Sequence, residues 1–284
     1  MSLCLGRYGL YLGYRTGGRA FNPDDLGGAL RGWYDAEDFS TLDLTGGLVN
    51  SITDKRNPGY ALSQSNDERK PAFIASSAVN NRPALRGDGV DDFLKAEGHP
   101  YPTGAAPVII IALAALPLEA DGSARTIFSF GEGSVNNDIR MRKNASDYPN
   151  TLLANTQATD TGAYLRGTHI IRSESTGTHV ITRIDDRAPV SVAAVGSVAA
   201  TRCAMFSTPT FNGQQFLQGD VNSIFIIDPT HANWTPGNEA ALYGFLTKRA
   251  FGPPPGAITD SLFGGEYVTD ALFDNEYVLE TIYG

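Results

Sequence analysis

The acidic residues of the sequence are the first place to look for chemistry. Hydrolysis of a glycosidic bond needs two carboxyl groups held across the sugar. Glucanases carry them in the pattern Glu-x-Asp-x-x-Glu on one strand, where alternate residues face the same cleft. The segment Glu119-Ala120-Asp121 begins this pattern, but its sixth position is Ala124. The sequence therefore predicts no catalytic residue, and we expect a protein that is not an enzyme.

Oxygen-bearing side chains cluster twice, and either cluster could in principle bind calcium. They are Asp88, Asp91 and Asp92 in "GDGVDDF", and Asn136, Asn137 and Asp138 in "SVNNDIR". Calcium prefers several oxygen ligands from flexible loops. Asp and Asn also form turns by accepting hydrogen bonds from their own backbone, and this interpretation is favoured for both clusters. Calcium stays possible, but the sequence assigns no metal site and no cofactor.

Other catalytic arrangements have no support in the sequence. The four histidines, His99, His169, His179 and His231, are scattered and do not show zinc-ligand spacing. Neither a Gly-x-Ser-x-Gly elbow nor a phosphate-binding Gly-Lys-Thr loop occurs. Cys4 and Cys203 lie far apart in sequence, and we expect free, buried thiols rather than a disulfide.

Aromatic side chains are the remaining candidates, because they can stack on sugar rings. Tyr101 and Tyr148 stand among Pro, Gly and Asn residues that indicate loops, and we expect these two to contact glycan if any residue does. Trp33 lies in a predicted strand, where packing in the core is the favoured role.

The overall composition limits the classes of partner. The chain has 284 residues and a formal net charge of −9, so binding to nucleic acid is not expected. The longest apolar run, Val108 to Leu116, is too short to cross a membrane and predicts a buried strand. The start, "MSLCLGRYGLYLGYRTGG", shows no signal peptide, which predicts synthesis in the cytoplasm.

Three regions follow from the pattern of strands, turns and prolines. Residues 1–22 form a Gly/Tyr-rich arm, residues 23–252 a series of short strands separated by turns, and residues 253–284 a Pro-rich spacer and tail. One helix is predicted, with Thr235 as its N-cap, Pro236 as its first residue and Gly252 just beyond its end. This order predicts one large all-β domain, an antiparallel jelly-roll sandwich with a C-terminal helix.

The two ends are aromatic and oppositely charged. Residues 1–19 hold three arginines and no acid, whereas residues 253–284 hold six acids and no base. Thr259–Val268 is repeated as Thr269–Val278 with seven of ten positions identical. Gly264-Gly265 and Asp274-Asn275 favour tight hairpin turns, and an extended segment is the alternative.

Strands this short are not stable alone, so both ends must dock. Either they dock on their own domain or on a neighbouring subunit or protein, by edge-strand addition. The aromatic residues predicted to take part are Tyr8, Tyr11, Tyr14, Phe263, Tyr267, Phe273, Tyr277 and Tyr283.

A family resemblance runs through the middle region. The segments "LRGWYDAEDFSTL", "ITDKRNPGYALSQ", "RKPAFI" and "NNRPALRGDGVDDFL", and later "FLQGDVNSIFIID" and "WTPGNEAALYGFLTKRAFG", resemble concanavalin A-like, laminin-G-like jelly-roll domains of bacteriophage virion proteins. The likeness covers roughly 220 residues, and its motifs specify a fold rather than an activity.

The resemblance implies a structural component of a phage-like particle, a tail or head fibre, spike or decoration protein located in the virion. Its implied partners are other virion proteins or further copies of itself in a symmetric homo-oligomer, and a cell-surface polysaccharide. The alternatives are a carbohydrate-active enzyme of the same fold, either hydrolase or lyase, and a free-standing lectin.

Overall fold

The computed structural model describes residues 20–118, 122–132, 137–194, 196–199, 201–210 and 215–252, and the backbone of three strands within 259–282. Several predictions concern residues outside these ranges, namely those for Cys4, Tyr8, Tyr11, Tyr14, Glu119, Asp121, Asn136 and Tyr283. Phe263, Tyr267, Phe273 and Tyr277 lie on the three tail strands, so their backbone positions alone are described.

Most of the described chain forms antiparallel strands joined by short turns. The seventeen strands of the main sheet are β1 (Leu30–Asp35), β2 (Leu42–Thr45), β3 (Leu48–Thr53), β4 (Ala61–Ser63), β5 (Ala72–Ile74), β6 (Ala84–Asp88), β7 (Leu94–Glu97), β8 (Val108–Leu116), β9 (Arg125–Gly131), β10 (Asp138–Lys143), β11 (Pro149–Leu153), β12 (Thr156–Thr159), β13 (Gly167–Ser175), β14 (His179–Ile184), β15 (Val190–Ala193), β16 (Arg202–Met205) and β17 (Gln218–Ile227). Short 3-10 helices span Pro23–Ala29, Phe39–Thr41 and Asp67–Arg69.

Hydrogen bonds join most strands of the sheet into two long series of neighbours, which we call the first and the second ladder. The first ladder runs β15-β14-β13-β8-β17-β1. The second ladder runs β12-β11-β10-β9-β16-β7-β4. The strands β6, β5 and β3 connect them, so all seventeen strands form one continuous antiparallel sheet that nearly closes on itself.

The two ladders face each other across the larger hydrophobic core. Ile110 of β8 and Ile224 of β17 share this cluster with Phe128 of β9, Met141 of β10 and Met205 of β16. Apolar side chains from both ladders are therefore removed from water together, which is the main force holding the sheet closed.

The strand β8 is buried on both faces, and all nine of its residues are buried. Ile110 and Ala112 point into the core between the ladders, whereas Ile109, Ile111 and Leu113 belong to a second cluster on the other side. This double burial explains why the sequence shows a continuous apolar run instead of an alternating one, and it confirms the predicted buried strand.

The second cluster is covered by the helix α1 (Pro236–Phe251). The Thr235 side chain accepts a hydrogen bond from the Asn238 amide, and Pro236 occupies the first turn. Leu242 and Leu246 are fully buried against the first ladder. The predicted N-cap, first residue and end of the helix are confirmed. In the described part of the chain, no helix is long and apolar enough to cross a membrane.

The all-β antiparallel class with one C-terminal helix is confirmed. The structure differs from the predicted sandwich in one respect, because its strands join into a single, nearly closed sheet rather than two separate layers. Trp33 is buried and stacks on Phe225, as a core residue should. Cys203 is a free, buried thiol, as predicted.

The tail contains β18 (Thr259–Phe263), β19 (Glu266–Phe273) and β20 (Glu276–Ile282), which form a separate three-stranded antiparallel sheet. Phe263 pairs with Glu266, and Phe273 pairs with Glu276. Two residues separate the members of each pair, so the hairpin interpretation of the repeat is confirmed and the extended alternative is wrong.

Candidate functional site

The outer face of the second ladder carries an unusual row of polar side chains. Along β10, Ile139 and Met141 point into the core between the ladders. Arg140 and Arg142 alternate with them and therefore face outward. Asn150 of β11 lies directly opposite Arg142 and faces the same way. Gln215, just before β17, reaches Arg142 with its side chain. We call Arg140, Arg142, Asn150 and Gln215 the polar face.

Arg142 is held in place by neutral oxygen atoms. Its Nε donates to Asn150 Oδ1 at 2.6 Å, and its Nη1 lies 3.5 Å from Gln215 Oε1. The Asn150 amide in turn donates to Thr159 Oγ1 at 2.6 Å, which fixes its orientation. Only 7% of the Arg142 side chain is exposed. Burial and the neighbouring Arg140 lower the pKa of Arg142 to about 10, so it is charged at neutral pH.

Arg140 has a carboxylate partner. Its Nε and Nη2 both donate to Asp138 Oδ2, at 2.9 and 2.6 Å. The second oxygen of Asp138, Oδ1, is buried and has no hydrogen-bond partner. Burial raises the pKa of Asp138 despite the adjacent guanidinium. Asp138 is thus the buried first residue of β10, and the predicted turn is wrong at this position.

An aromatic pair lies at one end of the polar face. Tyr148 directly precedes β11, and its ring stacks on Tyr164 with 5.1 Å between centroids and 23° between planes. Tyr164 is 55% exposed. The guanidinium of Arg166 lies 4.8 Å from the centre of the Tyr164 ring. We call Tyr148, Tyr164 and Arg166 the tyrosine platform.

A turn between β10 and β11 positions this platform. Asn144 Oδ1 accepts hydrogen bonds from the backbone of Ser146 and Tyr148, which closes the turn. Asp147 adopts the left-handed conformation, with φ of 60°. Its buried carboxylate accepts from Lys143 at 2.5 Å and from Arg166 Nη2 at 2.9 Å. Asp147 therefore holds the Arg166 guanidinium where it can lie against Tyr164.

The platform offers a flat, exposed aromatic surface beside fixed hydrogen-bonding groups. Sugars present both apolar C–H faces and hydroxyl groups, so this combination suits saccharide binding. The role of Tyr148 as a glycan contact stays a prediction. The structure adds Tyr164 as a second ring beside it.

The prediction for Tyr101 is wrong. Its side chain is only 3% exposed and lies in the core between the ladders. The Tyr101 hydroxyl hydrogen-bonds to that of Tyr34 and donates to Asp54 Oδ2 at 3.3 Å. His99 stacks on the Tyr101 ring, and both contact Phe130. Tyr101 closes one part of the core and has no surface to offer a sugar.

The cluster of Asp88, Asp91 and Asp92 forms a turn. Asp88 Oδ1 accepts from the Val90 amide at 2.8 Å, and Asp92 Oδ2 accepts from the Asp88 amide at 3.0 Å. Burial and the charge of Asp88 raise the pKa of Asp92 to about 7. The carboxylate oxygens lie within 4.8 Å of one another. Three adjacent carboxylates do not by themselves make a metal site, and these hydrogen bonds support the turn interpretation.

Sequence reasoning missed Tyr164, Arg142 and Gln215. Tyr164 stands in "DTGAYLR", whose Gly and Asp residues signal a loop, so the same argument that selected Tyr148 could have found it. Arg142 and Gln215 are 73 positions apart, and no local pattern in the sequence links them.

Comparison with known proteins gives likeness in structure alone. No protein-family model matches the chain, and no curated protein matches it. Among solved structures, an arabinofuranosidase complexed with arabinofuranosyl-alpha-1,2-xylobiose matches with a TM-score of 0.53 and 12% identity, over 81% of this chain and 61% of its own. A Trypanosoma rangeli sialidase matches with a TM-score of 0.51 and 11% identity, over 78% of this chain and 33% of its own.

These matches overturn two expectations. Both enzymes are glycoside hydrolases, which contradicts the predicted phage structural component and the prediction that the chain is not an enzyme. The chain spans about a third of the sialidase and under two thirds of the arabinofuranosidase, and at such low identity the likeness establishes a shared fold.

Proposed function

We propose that this chain is a carbohydrate-active protein of the glycoside-cleaving class, and that it holds its glycan on the tyrosine platform and the adjoining polar face. We also propose that the fold is a concanavalin A-like jelly roll whose two ladders are joined along one side by β6, β5 and β3. The observation that carries it is the stacking of half-buried Tyr148 on exposed Tyr164 at the end of a row of buried polar side chains.

The two surfaces supply complementary interactions. A sugar ring stacked on Tyr164 would bury its apolar face, while the partly exposed amide group of Gln215 would meet its hydroxyls. Asn150 lies two residues from Tyr148, a distance of roughly 7 Å along an extended strand. One or two sugar units can therefore contact the platform and the polar face together.

The fold places these groups on rigid elements. Arg140, Arg142 and Asn150 lie on the paired strands β10 and β11. The Arg142 side chain is already hydrogen-bonded to those of Asn150 and Gln215. A site built in this way loses little conformational entropy on binding. The glycosidase likeness of the whole fold supports a saccharide as the ligand.

The test is binding to a panel of purified polysaccharides, followed by calorimetry on the oligosaccharides that are retained. Tyr164→Ala should weaken binding about three- to tenfold, the effect expected when one aromatic contact is lost. The matched control is Phe39→Ala, since Phe39 is also an exposed aromatic side chain but packs against Phe73 away from the platform.

The same polysaccharides are then assayed for newly formed reducing ends, which report cleavage. If the formation of reducing ends falls in Tyr164→Ala, cleavage takes place at the tyrosine platform. Equal affinity for the wild type, Tyr164→Ala and Tyr148→Ala proteins would remove the platform from the proposal. Failure to retain or cleave any polysaccharide of the panel would refute the function itself.

A further inference from the structure

The buried Lys and Arg side chains of the described residues differ in whether they have a carboxylate partner. Four lysine or arginine side chains are buried, and three of them have a carboxylate partner: Lys70 with Asp67, Arg140 with Asp138, and Lys143 with Asp147. Arg142 is the fourth. Within the part of the chain that the structure describes, it has no carboxylate within ion-pair distance, and its contacts are the amide oxygens of Asn150 and Gln215.

An unpaired buried charge is costly, which is why such groups normally have an ionic partner. Amide oxygens compensate only part of the lost hydration, because they carry partial charges. The environment of Arg142 adds to this cost, since the Arg140 guanidinium lies two residues along the same face. Together Arg140, Arg142 and Asp138 leave one positive charge in excess, in a protein whose net charge is −9.

One edge of the guanidinium is still available. Nε and Nη1 are directed at Asn150 and Gln215, whereas Nη2 makes no hydrogen bond to the described residues. Nη2 is not fully enclosed by the protein, so solvent can reach it. A planar guanidinium whose other nitrogens are fixed is well oriented to receive an anionic group.

From this geometry we infer that the glycan bound here carries an anionic group, a carboxylate or a sulfate, and that Arg142 recognises it. The inference rests on the proposed glycan-binding function and specifies the class of saccharide. An anionic sugar on Arg142 would neutralise the excess charge of the polar face, while its ring contacts the tyrosine platform. A neutral sugar would leave the guanidinium unpaired and more deeply buried than before.

The experiment compares acidic glycans with their neutral counterparts. The probes are oligogalacturonate and its methyl ester, a sialylated oligosaccharide and its desialylated form, and sulfated galactan and plain galactan. We expect at least one acidic member to bind tenfold or more tightly than its neutral counterpart at low salt. Binding through the uronate or sialate probes would identify a carboxylate, and binding through sulfated galactan alone would identify a sulfate.

Variants then assign the preference to Arg142. Arg142→Gln should abolish the difference between acidic and neutral members, and Arg142→Lys should retain part of it because the charge is kept and the planar fork is lost. Arg31→Gln removes the same charge from the first ladder, where Arg31 pairs with Asp228, and should leave the preference unchanged.

The outcomes separate this inference from the proposed function. If neutral and acidic members bind equally, and binding still depends on Tyr164, the function stands and the inference is overturned. If nothing binds, both fall. If Arg142→Gln does not fold, the wild-type comparison decides alone: weakening by methyl esterification and by sodium chloride supports the inference, and indifference to both refutes it.

Discussion

The guanidinium of Arg249 forms two hydrogen bonds to the carboxylate of Asp35, from Nη1 to Oδ1 at 2.9 Å and from Nη2 to Oδ2 at 3.2 Å, although the residues are 214 positions apart. Arg249 lies in the last turn of α1 and Asp35 ends β1. Asn80 donates to the backbone carbonyls of Arg249 and Gly252, which adds a second attachment. The end of the helix is therefore fixed to the sheet.

Removing one partner of this pair should destabilise the fold. Asp35→Ala removes two hydrogen bonds from Arg249 and leaves it only the more distant carboxylate of Glu37, 3.6 Å from Nε, so we expect the free energy of unfolding to fall by about 1.5–3 kcal/mol. Urea denaturation followed by circular dichroism measures this value. The control, Arg31→Ala, removes a more exposed pair with Asp228 and should cost less than about 1 kcal/mol. Similar losses in both variants would contradict the assigned role of Asp35.

The buried tyrosines give a second prediction. Tyr101→Phe removes a hydroxyl that bonds to Tyr34 and Asp54, and should lower the free energy of unfolding by about 1–3 kcal/mol. Tyr60→Phe is the matched control, because the Tyr60 hydroxyl is buried without a hydrogen-bond partner and its removal should be neutral or stabilising. Glycan affinity should not change in Tyr101→Phe. A selective loss of binding without loss of stability would restore Tyr101 as a contact residue.

His99 makes the protein sensitive to acid. Burial lowers the pKa of His99 to about 4, and its Nδ1 has no hydrogen-bond partner. The unfolded chain takes up this proton near pH 6.5, whereas the folded protein takes it up only near pH 4. Stability from neutral His99 is therefore complete above about pH 6.5 and falls as the pH is lowered toward 4.

The variant His99→Phe keeps the ring contacts with Tyr101 and Phe130 and removes the titration. We expect its melting temperature to decline less than that of the wild type between pH 6.5 and 4, measured by differential scanning calorimetry. Parallel declines in the two proteins would show that other groups control the acid response.

Self-association through the tail is a proposal with a direct measurement. Light scattering should give the full chain a mass of more than one protomer, and a chain that stops after Gly256 the mass of one. Among the described strands, β18 and β20 each pair on one side only, and a strand edge without a partner favours addition of further strands. If the arm and the acidic tail attract each other, added salt should weaken the association. A single-protomer mass for both chains would leave the tail without a role in assembly.

Local patterns were sufficient for the elements of the fold. The apolar run of β8, the N-cap Thr235 and the paired turn residues of the tail each specify their structure within a few positions, so sequence alone predicted them. Continuity of the sheet was not predictable, because β3, β5 and β6 connect the ladders through pairings between segments separated in sequence.

The site shows the same limit. Tyr101 and Tyr148 have similar sequence surroundings, yet one is buried and the other stacks on an exposed ring. The difference arises because Tyr101 meets Asp54, 47 positions away, whereas Tyr148 meets a neighbouring loop. Arg142 is likewise singled out because no carboxylate among the described residues pairs with it, which is visible only once the strands are assembled.

The pairing of β19 with β20 reproduces that of β18 with β19 shifted by ten residues, as Phe273–Glu276 follows Phe263–Glu266. Deleting residues 264–273 would leave two residues between Phe263 and Glu276, the same spacing as in each present pair, while a tandem duplication would add one more strand. Because ten is even, every copy also keeps its alternation of faces. The number of strands in this sheet is therefore set by the number of ten-residue repeats. Replication errors that add or remove a repeat would change it by one strand and leave the preceding sequence unaltered.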